Sequence, residues 1–216
     1  MRDDGSAPAI KGSVFKGIVE HARQFCQASG IDAEALEKRV GADVAELIQG
    51  EIYVVEWYPI EHYGAVRQFL REAEGNGDPQ YGMDSGGASA RRMIDSGIYP
   101  QLDMFKTLAS EWRADASNST GELLDALERL VRPITLIYEG FYNFSHVDIL
   151  RDPEHDDRLR FDYRDGNVMP YDGRLAVVGF WNGVTRYWSS VEAELWRLED
   201  LPDGYAVRMN RSVREM

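Results

Sequence analysis

The stretch Gly173–Arg211 constrains this chain most. It reads GRLAVVGFWNGVTRYWSSVEAELWRLEDLPDGYAVRMNR. Leu175–Trp188 is apolar on nearly every face, which predicts a helix that must be covered on both sides. Val191–Glu199 and Gly204–Arg211 alternate and predict two strands, with Leu201-Pro202-Asp203-Gly204 as the turn between them. A helix and a hairpin cannot bury these surfaces alone. Upstream strands must pair with the hairpin, and the N-terminal helices must cover what remains.

In chain order, residues 1–10 are polar with Gly and Pro and predict a disordered lead. Val14, Phe15, Ile18, Val19, Ala22, Phe25 and Cys26 recur at helical spacing up to the stop at Gly30. Asp32 is placed to cap a helix over Ala33–Val40, with a turn or two more over Asp43–Ile48. Glu51–Tyr58 predicts a short strand or an extended link. Pro59 then opens a helix, Ile60–Ala73, with Tyr63, Val66, Phe69 and Leu70 on one face. The glycines of Gly75–Gly87 predict a loop. Helices follow at Ala88–Ser96, Gln101–Ala114 and Gly121–Val131, the last capped by Thr120 and ended before Pro133. From Ile134 the period changes: Thr135–Leu150 and Arg158–Tyr163 predict strands. The expected class is α+β. A helical part, 11–133, packs on a sheet part, 134–211, within one domain. The sheet is four-stranded and largely antiparallel, with one helix inserted between strand pairs.

The formal net charge is -13, against a nucleic-acid surface, which needs clustered Lys and Arg. The basic clusters are short, such as Arg91-Arg92. The single cysteine, Cys26, excludes an internal disulfide and reads as a buried, inert thiol. No apolar run is long enough to span a bilayer, and the N-terminus lacks the apolar core of a signal peptide. The expected location is the cytoplasm.

The order of helices, a strand pair, an apolar helix holding the step Gly179-Phe180-Trp181-Asn182-Gly183, and a closing hairpin carries a resemblance. It resembles the ligand-binding superfamily that includes heme-nitric-oxide-binding and four-vinyl-reductase sensor domains. Lys11-Gly12 before an apolar helix, Gly41, and Tyr58-Pro59 opening a helix resemble an uncharacterised bacterial paralogous family of about this length. The resemblance covers Lys11–Arg211 and implies a sensory or regulatory module. There are departures. Heme-nitric-oxide-binding domains hold the heme propionates with Tyr-x-Ser-x-Arg. The nearest stretch here, Tyr142-Asn143-Phe144-Ser145-His146, has another spacing and no Arg. The closing hairpin lacks the cysteines common in four-vinyl-reductase domains. No cofactor and no metal is expected, and purified protein is expected to be colourless.

His62 on the Pro59 helix is placed to ligate heme, and His146 can share a strand face with Asp148, but no third partner follows from the sequence. Glu154-His155-Asp156-Asp157 reads as a solvated acidic turn. The Ser in Gly82–Gly87 lacks the strand-to-helix context of a hydrolase elbow. No catalytic residue is expected. The aromatic residues gather around the sheet and its helix, which suits core packing, a pocket or a self-association face. The pocket reading places a small, mainly apolar ligand among Trp57, Tyr138, Glu139, Tyr142, Phe180, Trp181 and Asn182. The alternative is a ligand-free interaction or scaffolding module, and an enzyme stands third. A homodimer and an unidentified signalling partner complete the expectation.

Overall fold

The computed structural model describes residues 7–97, 106–107, 119–189, 191 and 193–215. The fold is α+β. Its sheet contains β3 (His146–Arg151), β4 (Leu159–Arg164), β5 (Trp196–Leu201) and β6 (Gly204–Met209), in the order β3-β4-β6-β5. Every pairing in it is antiparallel. The helix between the strand pairs spans Tyr171–Ser189, and it is α7 in the numbering used below.

Chain order explains how these elements meet. β1 (Ala9–Lys11) pairs with β2 (Trp57–Pro59) and buries Ala9 and Ile10. The expected disordered lead therefore becomes a strand at Ala9; residues 1–6 lie outside the described residues. α1 (Gly12–Ser29) buries Phe15, Val19, Ala22 and Cys26, as their spacing requires, and stops at Gly30 with φ 67°. The Asp32 carboxylate accepts the Ala35 N–H at 2.8 Å and caps α2 (Ala33–Val40). α3 (Ala42–Gln49) and α4 (Ile60–Ala73) follow, both where expected.

Two later helices correct the sequence reading. The first, α5 (Gln80–Asp95), occupies much of the glycine-rich stretch that predicted a loop. Its glycines lie against α7. A Cβ on Gly86 would stand 2.0 Å from the Ala176 carbonyl oxygen, and one on Gly179 would stand 1.8 Å from that of Met83. The two helices cross backbone to backbone, and the packing gained offsets the helix propensity that each Gly lacks, about 1 kcal/mol. This helix also supplies the second cover that α7 needs, so a second subunit is not required for it.

The second, α6 (Thr120–Phe141), runs straight through Pro133. Its cap is Ser119 rather than Thr120. The Ser119 hydroxyl accepts the Glu122 N–H at 3.3 Å, and the Glu122 carboxylate accepts the Ser119 N–H at 2.7 Å. Thr135–Phe141 falls in the stretch Thr135–Leu150 that predicts strand from its β-branched and aromatic residues. Yet Leu124, Leu127, Leu130, Val131, Ile134 and Thr135 are buried at helical spacing. That packing outweighs strand propensity. The ladder bond that Pro133 cannot make is the local loss, and the Thr135 hydroxyl turns back to donate to the Arg132 carbonyl at 2.8 Å. The strand region thus shrinks to β3. The helix expected over Gln101–Ala114 lies outside the described residues apart from Lys106 and Thr107.

The two faces of the sheet differ. Leu159, Phe161 and Tyr163 share one face with Tyr205, Val207 and Met209, and these are buried. The opposite face carries a charge knot. Arg208, 4% exposed, forks onto Asp152 through Nε and Nη2 and also reaches Glu154 at 2.6 Å and Glu199 at 3.2 Å. Beside it Arg160 pairs with Asp162 at 2.6 Å. The knot ties the β3–β4 loop across the sheet.

Candidate functional site

The buried face of the sheet meets α7 through rings. Phe161 lies 4.6 Å from both Trp181 and Trp196, centroid to centroid. Tyr163 stacks on Tyr205 at 4.5 Å with the planes 4° apart. Polar tips are satisfied as well. The Trp181 indole N–H donates to the Tyr163 hydroxyl at 2.7 Å, and the Trp196 N–H donates to the Thr185 hydroxyl at 2.7 Å.

α6 extends this ring cluster. Tyr138 lies 4.4 Å from Tyr142 and 5.0 Å from Tyr163, and its hydroxyl is 3.3 Å from that of Tyr205. Tyr63 of α4 reaches the same junction, where it interacts with the Tyr142 hydroxyl. Desolvation raises the hydroxyl pKa of Tyr142, Tyr163 and Tyr205 well above the usual phenol range, and that of Tyr138 in the same direction. These phenols are therefore neutral groups that can donate or accept a hydrogen bond.

Of the seven residues expected to line a pocket, Tyr138, Tyr142 and Trp181 come together through Tyr163. Phe180 is half-buried and meets Trp181 edge-on at 5.7 Å. Asn182 is buried but serves the backbone. Its Oδ1 accepts the N–H groups of Leu195 at 2.8 Å and Trp196 at 3.0 Å, and its Nδ2 donates to the Trp196 carbonyl at 3.2 Å. This fixes the start of β5 at Trp196, five residues beyond the expected Val191. Glu139 stands at the sheet edge, where Oε1 accepts the Val147 N–H at 3.1 Å and lies 3.7 Å from His146. Trp57 is remote on β2, partly exposed, with the Lys11 ammonium 4.6 Å above its ring.

The sequence reading missed Tyr63, Tyr163 and Tyr205, and also Arg67. Arg67 is buried on α4 and its guanidinium covers the Tyr63 ring at 4.7 Å. One signal was available: a lone Arg on the stripe of Tyr63, Val66 and Leu70. A separate groove of about 780 Å³ runs between α5 and α7, lined among others by Met83, Asp84, Arg91, Gly179, Asn182 and Tyr187.

Heme-nitric-oxide-binding domains hold their heme propionates with a motif that this chain lacks, and its four histidines are placed separately. His21 hydrogen-bonds Glu74 at 2.7 Å on the surface, and His146 is exposed beside Glu139. His155 lies in the β3–β4 loop. His62 is half-buried on α4, and its Nδ1 is buried with no hydrogen-bond partner among the described residues. Among the described residues no three His, Cys, Asp or Glu side chains gather to hold a metal ion. The stretch nearest the propionate motif places Tyr142 in the ring cluster and offers no Arg.

No family model and no curated protein matches the chain. Among solved structures it is similar to a mutant H-NOX of T. Tengcongensis, with 14% identity and a TM-score of 0.52 over 94% of this chain and 100% of that one. It is similar too to a Cs H-NOX mutant bearing 4-cyano-L-phenylalanine, with 13% identity and a TM-score of 0.51 over 94% and 98% of the two chains. At such identity the likeness is one of fold, and the fold is that of the H-NOX domain.

Proposed function

We propose that this protein is a sensory or regulatory module that holds a small, mainly apolar ligand where α4 and α6 meet the sheet, and passes its occupancy to a partner protein. The observation that carries this reading is the junction itself. Four tyrosines from two helices and two strands, Tyr63, Tyr138, Tyr163 and Tyr205, meet there around Tyr142. Rings offer apolar contact and neutral hydroxyls fix orientation, which is the usual make-up of a small-molecule site. The H-NOX-like fold supports a sensor.

Native mass spectrometry of freshly purified protein and a thermal-shift screen of hydrophobic compounds test the proposal. A true ligand at about a hundred times its Kd stabilises the fold by about 2.7 kcal/mol. Tyr138→Ala should abolish that shift. A protein with no bound mass and no response to the screen would leave the interaction-module reading in its place.

A further inference from the structure

Arg67 is a buried charge with no carboxylate partner among the described residues. It is 9% exposed, and its Nε is buried. A guanidinium cannot lose its proton to escape burial. Arg71, one turn on, is paired with Asp172 at 2.8 Å. No such carboxylate serves Arg67 among the described residues, although the chain has 37 acidic residues to draw on. Its contacts are the face of Tyr63 and a long approach of Nη1 to the Ser85 hydroxyl of α5, 3.5 Å. Nε is buried with no acceptor. The edge formed by Nε and Nη2 thus has no carboxylate on it among the described residues, and such an edge binds a carboxylate side-on through two parallel hydrogen bonds.

We propose that Arg67 anchors the carboxylate of the ligand, which makes the ligand class a small monocarboxylic acid with an apolar body. This rests on the ligand-binding reading above. The neighbours select a single negative charge. Ser85, Tyr63 and Tyr142 are neutral, and the nearest cation along α4, Arg71, is already neutralised by Asp172. A doubly charged phosphate would find one cation where it needs two. Arg67 lies over the Tyr63 ring and is close enough to Tyr142 for its charge to act on that hydroxyl, so these two rings are at hand for the apolar body of the acid.

Octanoate and octanol, alike in chain and different in charge, separate the anchor from the pocket. Melting temperature and calorimetric affinity are measured for wild type, Arg67→Met and Arg67→Lys. Octanoate is expected to raise the wild-type melting temperature and octanol to leave it unchanged. Arg67→Met should weaken octanoate by at least ~10-fold, while the variant without ligand melts at or above the wild-type temperature because a buried charge is gone. Arg67→Lys keeps a charge but loses the fork, so octanoate should bind it more weakly than wild type. Equal stabilisation of wild type and Arg67→Met by both compounds would keep the pocket and remove the anchor. The same follows if hydrophobic compounds bind and octanoate does not. Silence from octanoate and from the hydrophobic screen alike would remove both. An Arg67→Met protein that unfolds, with Arg67→Lys intact, would show that the charge serves the fold and would also overturn the anchor.

Discussion

Asn182 shows how one side chain can hold an element in place. Its amide makes the three bonds that start β5, to groups thirteen and fourteen residues away in sequence. Asn182→Leu should cost about 2–3 kcal/mol, since two buried N–H groups lose their acceptor. A urea midpoint that falls with an unchanged slope would show it. The sequence marked Asn182 as polar within an apolar helix, but its partners belong to tertiary structure and no local spacing reveals them. The same holds for Arg208 and Asp152, fifty-six apart. Burial works against the charged form of Asp152, yet the bonds from Arg208 prevail and hold its carboxyl below the usual range. A depressed folded value means stability that is present above the unfolded pKa, about 3.9, and is lost as pH falls through the folded value. Asp152→Asn should therefore cost about 3 kcal/mol near neutrality and flatten the acid limb of the stability curve below about pH 4. Unfolding midpoints across that range measure both effects.

Among the elements, α1 to α4 and α7 were legible because apolar spacing, caps and Pro agreed with one another. α5 and α6 were legible only over Ala88–Ser96 and Gly121–Val131, because packing overrides local preference in the rest of each. The glycines that read as a loop are what let α5 touch α7, and their meaning lies on the opposite helix. Gly179→Ala is the sharp test. Its Cβ would meet the Met83 backbone, which cannot swing aside as a side chain can. Overpacking of this kind costs typically ~1–3 kcal/mol and more where backbone must move. Gly140→Ala is the control, since no atom stands within 4 Å of the added carbon. A Gly179→Ala protein with the control's melting temperature would disprove the close crossing.

For the whole molecule, the fold class and the closing strand–strand–helix–strand–strand order could be read from the change of period. The candidate site could be read in part: Tyr138 of α6 and Tyr142 just past its end were named, their partners on α4 and the sheet were not. None of the helices among the described residues is long and apolar enough to cross a membrane. The expected dimer rested on the aromatic content, on the pairing of related sensor domains and on an α7 that needs a second cover, and α5 supplies that cover. Sedimentation equilibrium at micromolar concentration should give a monomer of 24.5 kDa. A dimer would place its interface elsewhere, with the exposed Tyr53, Val54, Val55 and Trp57 as the first place to look. The strand order has a further consequence for how the chain is made. β6 sits between β4 and β5 yet is the last strand to be synthesised. On the ribosome, β3 and β4 emerge well before it, with Phe161 and Tyr163 showing and the inner edge of β4 open. Until β6 arrives, the nascent protein carries a surface that favours capture by chaperones and aggregation with its neighbours on the same message.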